Sequence, residues 1–208
     1  MSAFQAERRR FKSDHPLEQT IIMAKNPDVF ELQSGIDQRV ADIILEQGKQ
    51  LSKESGATNK PGSVDISKRD SEILWIQEAG WVGGMMSHFV NVANTFTFGY
   101  DIQYWATRIQ YTEYNHEGAH YGWHFDTTNS MYRKDHIRKL SISLCLSKKE
   151  DYEGGELEIK VLPEETKKYK MDIGDVIVFP SDMWHRVHPI KSGTRVSLVG
   201  WYAGPRWR

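Results

Sequence analysis

Length, composition and charge limit what this protein can be. The chain has 208 residues, the size of one large domain with a substantial core. Its 27 basic and 28 acidic residues nearly cancel, which excludes a global field that would recruit nucleic acid or an acidic membrane. A single cysteine, Cys145, excludes an intramolecular disulfide. No apolar run approaches the roughly 20 residues that span a bilayer, and the first residues lack the apolar core of a signal peptide, so we expect a cytoplasmic protein.

The first hundred residues predict a region of helices and loops. A basic cluster at residues 7–12 is typical of a solvated terminus, and residues 28–32 are extended. Polar residues 52–71 contain Gly56, Pro61 and Gly62, which predicts a loop and a candidate flap beside a substrate. Apolar residues recur at helical spacing in two stretches, and the second stripe follows a predicted turn at Gly83 and Gly84. The two stripes are Ile36, Val40, Ile43, Ile44 and Leu51, then Met85, Phe89, Val92 and Phe96.

From about residue 102 the pattern changes to short strands separated by glycine, proline and charged turns. Eight strands are predicted, at residues 102–111, 121–126, 140–146, 156–161, 169–171, 175–179, 185–189 and 195–202. This pattern is typical of a double-sheet jelly roll whose inner faces enclose a pocket. The predicted class is therefore α+β, mainly β, as one domain over residues 1–208. Residues from about 1 to 100 would support a jelly roll core at about 101–208, which would carry the site.

Two histidines and one aspartate form the candidate metal site. His124 and Asp126 are two residues apart, and a strand directs residues i and i+2 to the same face. A lone His-x-Asp pair is common and usually marks a surface hydrogen bond, so a third ligand is required. His185, which follows the strand at residues 175–179, can supply it. Two imidazoles and one carboxylate are the ligand set of non-haem Fe(II) oxygenases, although zinc also binds such ligands tightly.

Arg195 is the second part of the predicted site. It lies ten residues after His185, where a turn at Gly193 leads into a strand. The planar fork of a guanidinium group matches a carboxylate at two points, which a lysine matches less well. On its own Arg195 would be read as a surface arginine at a strand edge. In this order after the three ligands, it indicates a carboxylate clamp.

These motifs resemble the Fe(II) and 2-oxoglutarate-dependent dioxygenases, and residues 114–126 resemble the prolyl 4-hydroxylase branch. Further similarity lies in residues 153–157, 174–180 and 185–195, so that the resemblance covers roughly residues 104–202. It implies a double-stranded β-helix core buttressed by N-terminal helices. It also implies Fe(II) held by His124, Asp126 and His185, 2-oxoglutarate as cosubstrate, and ascorbate as a candidate reductant.

The resemblance also assigns the residues around the metal. Arg195 and Tyr114 would hold the far carboxylate of 2-oxoglutarate. Tyr121 and Trp201 match positions on the proline-binding side, and Arg138 matches an arginine that contacts a peptide substrate. Filling of the barrel is the alternative role for Tyr121 and Trp201, and a surface charge is the alternative for Arg138. Some relatives place a tyrosine against 2-oxoglutarate where this chain has Cys145, which leaves more of the anchoring to Tyr114 and Arg195.

The sequence around the other histidines does not indicate a catalytic role. We expect His116 and His136 to be exposed in polar loops, and His88 to be structural. His120 lies in a turn, where a solvent or supporting role is predicted, and His188 should face away from His185. The basic stretch at residues 132–139 follows the metal strand and is a candidate lid.

The function implied by the resemblance is hydroxylation of a substrate C–H bond, with release of succinate and carbon dioxide. The leading substrate is a prolyl residue in a peptide or protein, which makes a peptide or protein the expected partner. One alternative is an oxygenase acting on a free amino acid, another small molecule or a nucleic acid base. The AlkB-type demethylases carry a second arginine six residues after the first, where this chain has Trp201. A non-catalytic metal-binding jelly roll is the other alternative, and it would not need Arg195.

Overall fold

The computed structural model describes residues 28–51, 54–55, 65–162 and 164–207. The basic cluster at residues 7–12 and most of the predicted flap at residues 52–71 lie outside this range. Within the range, two helices precede most of the strands. None of the described helices has the length and apolar character needed to cross a membrane.

Helix α1 spans Gln38–Lys49 and begins at Asp37, whose carboxylate accepts the backbone N–H of Val40 at 3.0 Å. Ala41, Ile44 and Gly48 form its buried face. The absence of a side chain at Gly48 lets the helix approach the sheet, because a Cβ there would lie 2.6 Å from the ring of Tyr111. Ile43, which the sequence placed on the buried stripe, is 59% exposed. The contact face of α1 is therefore narrower than the apolar pattern predicts.

Helix α2 spans Trp81–Ala93 and continues into a π-helical turn at Asn94–Phe98. Gly83 lies inside this helix, so the turn predicted there is wrong. A Cβ on Gly83 would lie 1.9 Å from the carbonyl oxygen of Glu78, so glycine serves close packing here. The buried face of the helix also differs from the predicted stripe, and Phe96, in the π-helical turn, is 57% exposed. The buried residues are Val82, Gly83, Met86, Phe89, Val90 and Ala93.

Fifteen strands are present in the described residues, and most of them form two sheets. The strands are β1 Phe30–Leu32, β2 Glu54–Ser55, β3 Arg69–Asp70, β4 Glu72–Ile76, β5 Tyr104–Trp105, β6 Ile109–Tyr114, β7 His120–His124, β8 His136–Cys145, β9 Tyr152–Gly154, β10 Leu157–Leu162, β11 Glu165–Tyr169, β12 Val176–Pro180, β13 His185–Val187, β14 Ile190–Gly193 and β15 Arg195–Pro205. The major sheet has the order β1-β12-β8-β15-β6-β4-β2, with β5 also pairing with β15. The minor sheet has the order β11-β10-β13-β7-β3, and β14 pairs with β9 in a separate ribbon.

Two apolar cores lie on opposite faces of the major sheet. Leu140, Ile142 and Leu144 of β8 belong to the core that includes buried residues of α1 and α2. Cys145 of β8 belongs to a second core, which includes Leu157 and Val187 of the minor sheet. This arrangement confirms the predicted jelly roll with helices buttressing one sheet. The second core occupies the interior of the jelly roll, where the candidate site also lies.

Several strand boundaries differ from the predicted ones. The stretch at residues 102–111 divides into β5 and β6, and β4 was not predicted. The predicted flap at residues 52–71 ends in β3, which pairs with β7. The region before residue 101 thus supplies strands to both sheets as well as helices. His136–Lys139 of the basic stretch belong to β8, which leaves only the preceding residues as a connecting loop.

Candidate active site

The minor sheet and the loops beside it bring the three predicted metal ligands together. His124 ends β7, and His185 begins β13 directly opposite it in the antiparallel register. Asp126 lies beyond the end of β7, so the strand predicted through residue 126 is too long. The backbone N–H of Asp126 donates to the carbonyl oxygen of Ser181 at 2.7 Å, which fixes the loop that presents its carboxylate. One ligand atom from each of the three residues lies within 4.8 Å of the other two.

A β-bulge sets the direction of the side chains in β7. Tyr121 pairs with Val187 and His124 pairs with His185, so Gly122 and Trp123 oppose the single residue Arg186. The extra residue lets Tyr121 and His124 share one face although they are three positions apart. Their rings stack with centroids 3.6 Å apart. Strict alternation would have placed His120 on this face.

Hydrogen bonds orient both imidazoles toward the carboxylate. Nδ1 of His124 lies 2.8 Å from the carbonyl oxygen of Gly122, and Nδ1 of His185 lies 2.9 Å from that of Met183. A carbonyl accepts only from a protonated nitrogen, so in the neutral form of each ring Nδ1 carries the hydrogen and Nε2 has the free lone pair. Each Nε2 faces Asp126, at 3.7 Å for His124 and 3.3 Å for His185. This is the state in which imidazole binds a metal ion.

The carboxylate of Asp126 is held by a serine that the sequence analysis did not identify. The hydroxyl of Ser141 donates to Oδ2 of Asp126 at 2.7 Å and lies 3.0 Å from the hydroxyl of Ser181. Burial alone would raise the pKa of Asp126. The neighbouring His185 and His124 outweigh burial and hold this pKa well below its usual range. Burial, followed by the charge of His185, lowers the pKa of His124 to about 4. The ligand set therefore consists of one carboxylate and a neutral His124.

Arg195 is buried without a counterion. It begins β15 and is 1% exposed. Its guanidinium group donates to the Ser197 hydroxyl at 3.1 Å and to the Met171 sulfur at 3.6 Å, while its Nε has no hydrogen-bond partner. In the part of the chain that the structure describes, no carboxylate lies within ion-pair distance of Arg195. A buried guanidinium group without an anion is costly, so an anionic ligand would stabilise this position.

Tyr114 lies beside this arginine. It ends β6 and pairs directly with Arg195 across the major sheet. The guanidinium carbon lies 5.7 Å from the centroid of the Tyr114 ring. Burial raises the pKa of Tyr114, so its hydroxyl stays protonated at neutral pH and can donate a hydrogen bond. Cys145, in contrast, points its thiol at the carbonyl oxygen of Ser147 at 3.3 Å and does not line the cavity.

The triad, Arg195 and Tyr114 border one cavity of about 200 Å³ between the two sheets. Tyr121, Arg138 and Trp201 line it too. The guanidinium carbon of Arg138 lies 3.9 Å from the centroid of the Trp201 ring. The structure adds Arg69 to this wall, from the short strand β3. No motif marks Arg69 in the sequence, because its place in the wall depends on the pairing of β3 with β7.

The remaining histidines among the described residues do not line the cavity. His116 is exposed, as expected, and pairs with Asp70 at 3.2 Å. His136 is wrongly predicted as exposed, because it is 2% exposed and stacks on Tyr104 with centroids 5.5 Å apart. His120 contacts the carbonyl oxygens of Gly118 and Ser67, which is a supporting role. His188 faces away from the triad and bonds to Glu158.

Comparison with known proteins agrees with this geometry. Residues 109–203 match a family model described as the 2OG-Fe(II) oxygenase superfamily. A PKHD-type hydroxylase from Gloeothece citriformis is 42% identical over 87 residues, which cover 40% of this chain and 37% of that protein. The chain thus spans little more than a third of the length of the curated relatives that it matches.

Two solved structures share the fold at low sequence identity. A Pseudomonas putida prolyl-4-hydroxylase aligns with a TM-score of 0.63 and 18% identity, covering 87% of this chain and 94% of that one. A Trichoplax adhaerens prolyl hydroxylase, solved with a hypoxia inducible factor peptide fragment, aligns with a TM-score of 0.67 and 19% identity, covering 85% and 83%. The jelly roll, the metal-ligand geometry and the family match together lead to one conclusion. Over residues 109–203 the chain is similar to the 2OG-Fe(II) oxygenase superfamily, and it resembles the prolyl 4-hydroxylase-like branch of that superfamily.

Proposed function

We propose that this protein is an Fe(II)- and 2-oxoglutarate-dependent dioxygenase that hydroxylates a prolyl residue in a peptide or protein and releases succinate and carbon dioxide. One observation carries the proposal. The cavity bordered by His124, Asp126 and His185 also contains Arg195, a buried arginine without a carboxylate partner among the described residues. A structural metal site would not require such an arginine. We place the activity in the cytoplasm, with ascorbate as a candidate reductant.

The metal site suits Fe(II) in charge and geometry. Two imidazoles and one carboxylate on one side of an ion leave its remaining positions open, as oxygenases require. When bound, the iron supplies the oxygen chemistry that neither imidazole nor carboxylate can perform. The protein's part is to hold the three ligands rigidly. The carbonyls behind His124 and His185 fix the two rings, and Ser141 fixes Asp126.

The cosubstrate requires a second anchor away from the metal. We assign the far carboxylate of 2-oxoglutarate to Arg195 and Tyr114, which face each other across β15 and β6. The hydroxyl of Ser197 bonds to Arg195 and holds its side chain in place. A charged pair formed inside this buried site is stronger than the same pair in water. This anchor would set both the affinity for the cosubstrate and its orientation toward the metal.

We assign Tyr121, Arg138 and Trp201, which line the cavity, to substrate binding. Tyr121 stacks on the ligand His124, so its ring limits the approach to the metal. The indole of Trp201 presents an apolar face, which suits the ring of a prolyl residue. The relative from Trichoplax adhaerens was solved with a peptide, which supports a peptide or protein as the substrate class.

Succinate formation tests this function. Purified protein loaded with Fe(II) should convert 2-oxoglutarate to succinate in air, and a proline-rich peptide should stimulate the reaction. His185→Ala is the matched control and should produce no iron-dependent succinate. A failure to bind 2-oxoglutarate would reject the oxygenase assignment in favour of a metal-binding jelly roll. Stimulation by a free amino acid or a nucleic acid, without stimulation by the peptide, would replace the prolyl substrate.

A further inference from the structure

The cavity contains more positive charge than the proposed metal and cosubstrate use. Three arginines line it, namely Arg69, Arg138 and Arg195, against the single carboxylate of Asp126. The charges of Fe(II), Asp126, 2-oxoglutarate and Arg195 cancel one another in the proposed complex. Arg69 and Arg138 then remain without an ion-pair partner of their own among the described carboxylates, in a cavity lined by both polar and apolar side chains. Their charges require compensation from another molecule.

Arg69 is directed into the cavity by strand pairing. It lies opposite Tyr121 in the antiparallel register, so both side chains project from the same face of the minor sheet. Its guanidinium carbon is 4.5 Å from the centroid of the Tyr121 ring, and its Nε donates to the Ser71 hydroxyl at 2.9 Å. Arg69 is 5% exposed and forms no ion pair with a described carboxylate. The adjacent Asp70 faces the other way and pairs with His116.

Arg138 reaches the same space from the major sheet. Its guanidinium carbon lies over Trp201, and its buried Nε has no hydrogen-bond partner. Arg69, Arg138 and Tyr121 line the same cavity, and Arg69 lies over the Tyr121 ring. A ligand group beside Tyr121 would therefore meet one arginine from each sheet.

We propose that the substrate carries a carboxylate close to the carbon that reacts, and that Arg69 and Arg138 together bind this carboxylate. This inference rests on the proposed function and narrows its substrate class. The carboxylate has two sources, the terminal carboxylate of an amino acid or peptide, and an acidic side chain beside the target residue. Planar guanidinium groups match a carboxylate at two points. The small size of the cavity favours a compact carboxylate over the phosphates of a nucleic acid chain.

Small probes test the proposal without turnover. The protein is loaded with Mn(II) and saturating 2-oxoglutarate, and broadening of probe NMR signals by Mn(II) reports binding near the metal. N-acetylproline is compared with N-acetylprolinamide for a terminal carboxylate. N-acetylprolylaspartate amide is compared with N-acetylprolylasparagine amide for an acidic neighbour. In at least one pair the acid should bind at least tenfold more tightly than the amide, and the pair that shows this preference identifies the source of the carboxylate.

Variants of both arginines separate recognition from a structural role. Arg69→Gln and Arg138→Gln should each remove most of the preference for the acid, so that the affinity for the acid falls much more than the affinity for the amide. Arg69→Lys should restore part of the preference, because it keeps the charge and loses the fork. The exposed Arg39 of α1 provides a matched control, and Arg39→Gln should change neither affinity. Melting temperatures of all four variants show whether they fold.

Four results would contradict the proposed binding of a substrate carboxylate by Arg69 and Arg138. The proposal is overturned if the acid and the amide bind equally in both pairs, or if no probe signal is broadened. It is also overturned if the preference for the acid survives in both glutamine variants. Tighter binding of thymidine monophosphate than of either acid would also overturn it, and would favour nucleic acid. Calorimetry of Mn(II) and 2-oxoglutarate is run in parallel. If Mn(II) and 2-oxoglutarate do not bind in the calorimeter, the proposed function is rejected. If they bind normally and the probes show no preference for the acid, only the proposed carboxylate on the substrate is rejected.

Discussion

Two buried carboxylates lie on opposite faces of the minor sheet, and each lies close to at least one histidine. Asp126 faces His124 and His185 on the inner side. Glu158 pairs across strands with Arg186, the residue after His185, and so lies on the outer side. The outer carboxylate accepts hydrogen bonds from Thr166 at 2.6 Å and from Arg186 at 2.7 Å, and it lies 2.6 Å from Nε2 of His188.

The two clusters differ in the direction of their hydrogen-bond donors. Around Glu158 the donors of Thr166 and Arg186 point at the carboxylate, which closes the network and leaves a structural unit. Around Asp126 both imidazoles direct Nδ1 toward backbone carbonyls, which leaves Nε2 of each ring facing the carboxylate and, in the neutral form, free to bind a metal ion. Similar residue types therefore produce a closed ion pair on one face and a metal-binding arrangement on the other. The backbone carbonyls behind the histidines make the difference.

Removing the inner carboxylate should have the largest effect. Asp126→Ala deletes the anionic ligand, so Fe(II)-dependent succinate formation should fall below detection. The jelly roll should stay folded, because its two cores do not depend on the metal. Circular dichroism and thermal melting check the fold alongside the assay. Retained succinate formation would remove Asp126 from the metal site.

Arg195 belongs to the inner site, and the cluster around Glu158 on the outer face has no equivalent of it. Arg195→Ala therefore tests a feature that only the inner site has. Loss of one partner from a buried charge pair costs roughly 2 to 5 kcal/mol, so the Kd for 2-oxoglutarate should rise about 30-fold or more. Arg195→Lys should cause a smaller loss, because the charge remains and the fork is lost. Calorimetry on the metal-loaded protein measures both. A change below about threefold for Arg195→Ala would contradict the carboxylate clamp.

Ser141→Ala sharpens the comparison by weakening the inner cluster without touching a ligand. Loss of such a supporting hydrogen bond typically lowers metal affinity about 10- to 100-fold. Ser143→Ala is the control, since Ser143 lies two residues along the same strand and also lines the cavity. Metal affinity is measured by competition with a chelator of known affinity. Equal effects of the two variants would show that Ser141 does not hold Asp126 for the metal.

Glu158→Gln should affect stability and leave turnover nearly unchanged. Hydrogen bonds to charged groups contribute roughly 1.5 to 3 kcal/mol each, so the variant should lose a few kcal/mol of unfolding free energy at neutral pH. Burial would raise the pKa of Glu158, but Thr166, Arg186 and His188 lower it from 4.5 to about 2.

The sign of the pH effect follows from this shift. A folded-state pKa below the unfolded value gives stability that is present above pH 4.5 and is lost as the pH falls toward 2. The difference between wild type and Glu158→Gln should therefore shrink over that range in denaturant titrations. A difference that stays constant with pH would show that the charge of Glu158 does not contribute.

The residues that the sequence could predict are those whose spacing has a chemical meaning. His124, Asp126, His185 and Arg195 follow in a recognisable order, and alternation in short strands predicted the jelly roll. Ser141 is one serine within a strand, and Arg69 is one arginine at the end of a polar stretch. Their functional positions depend on pairing between strands that are distant in sequence. Local periodicity carries no information about that pairing.

The buried helix faces were predicted only in part for a similar reason. A stripe of apolar residues shows that a helix packs, but the sheet decides how much of the stripe it covers. Gly48 and Gly83 allow close approach on one side of each helix, whereas Ile43 and Phe96 are exposed.

The bulge in β7 has a consequence for protein engineering. Transplanting only His124 and Asp126 onto a regular hairpin would reproduce the metal spacing but would turn the equivalent of Tyr121 to the outer surface. A graft of this site must therefore carry the whole of residues 121–126 with its extra residue. Conversely, deleting Gly122 would remove the bulge and leave Tyr121 two positions before His124, so that regular alternation would keep its ring on the same face as that metal ligand.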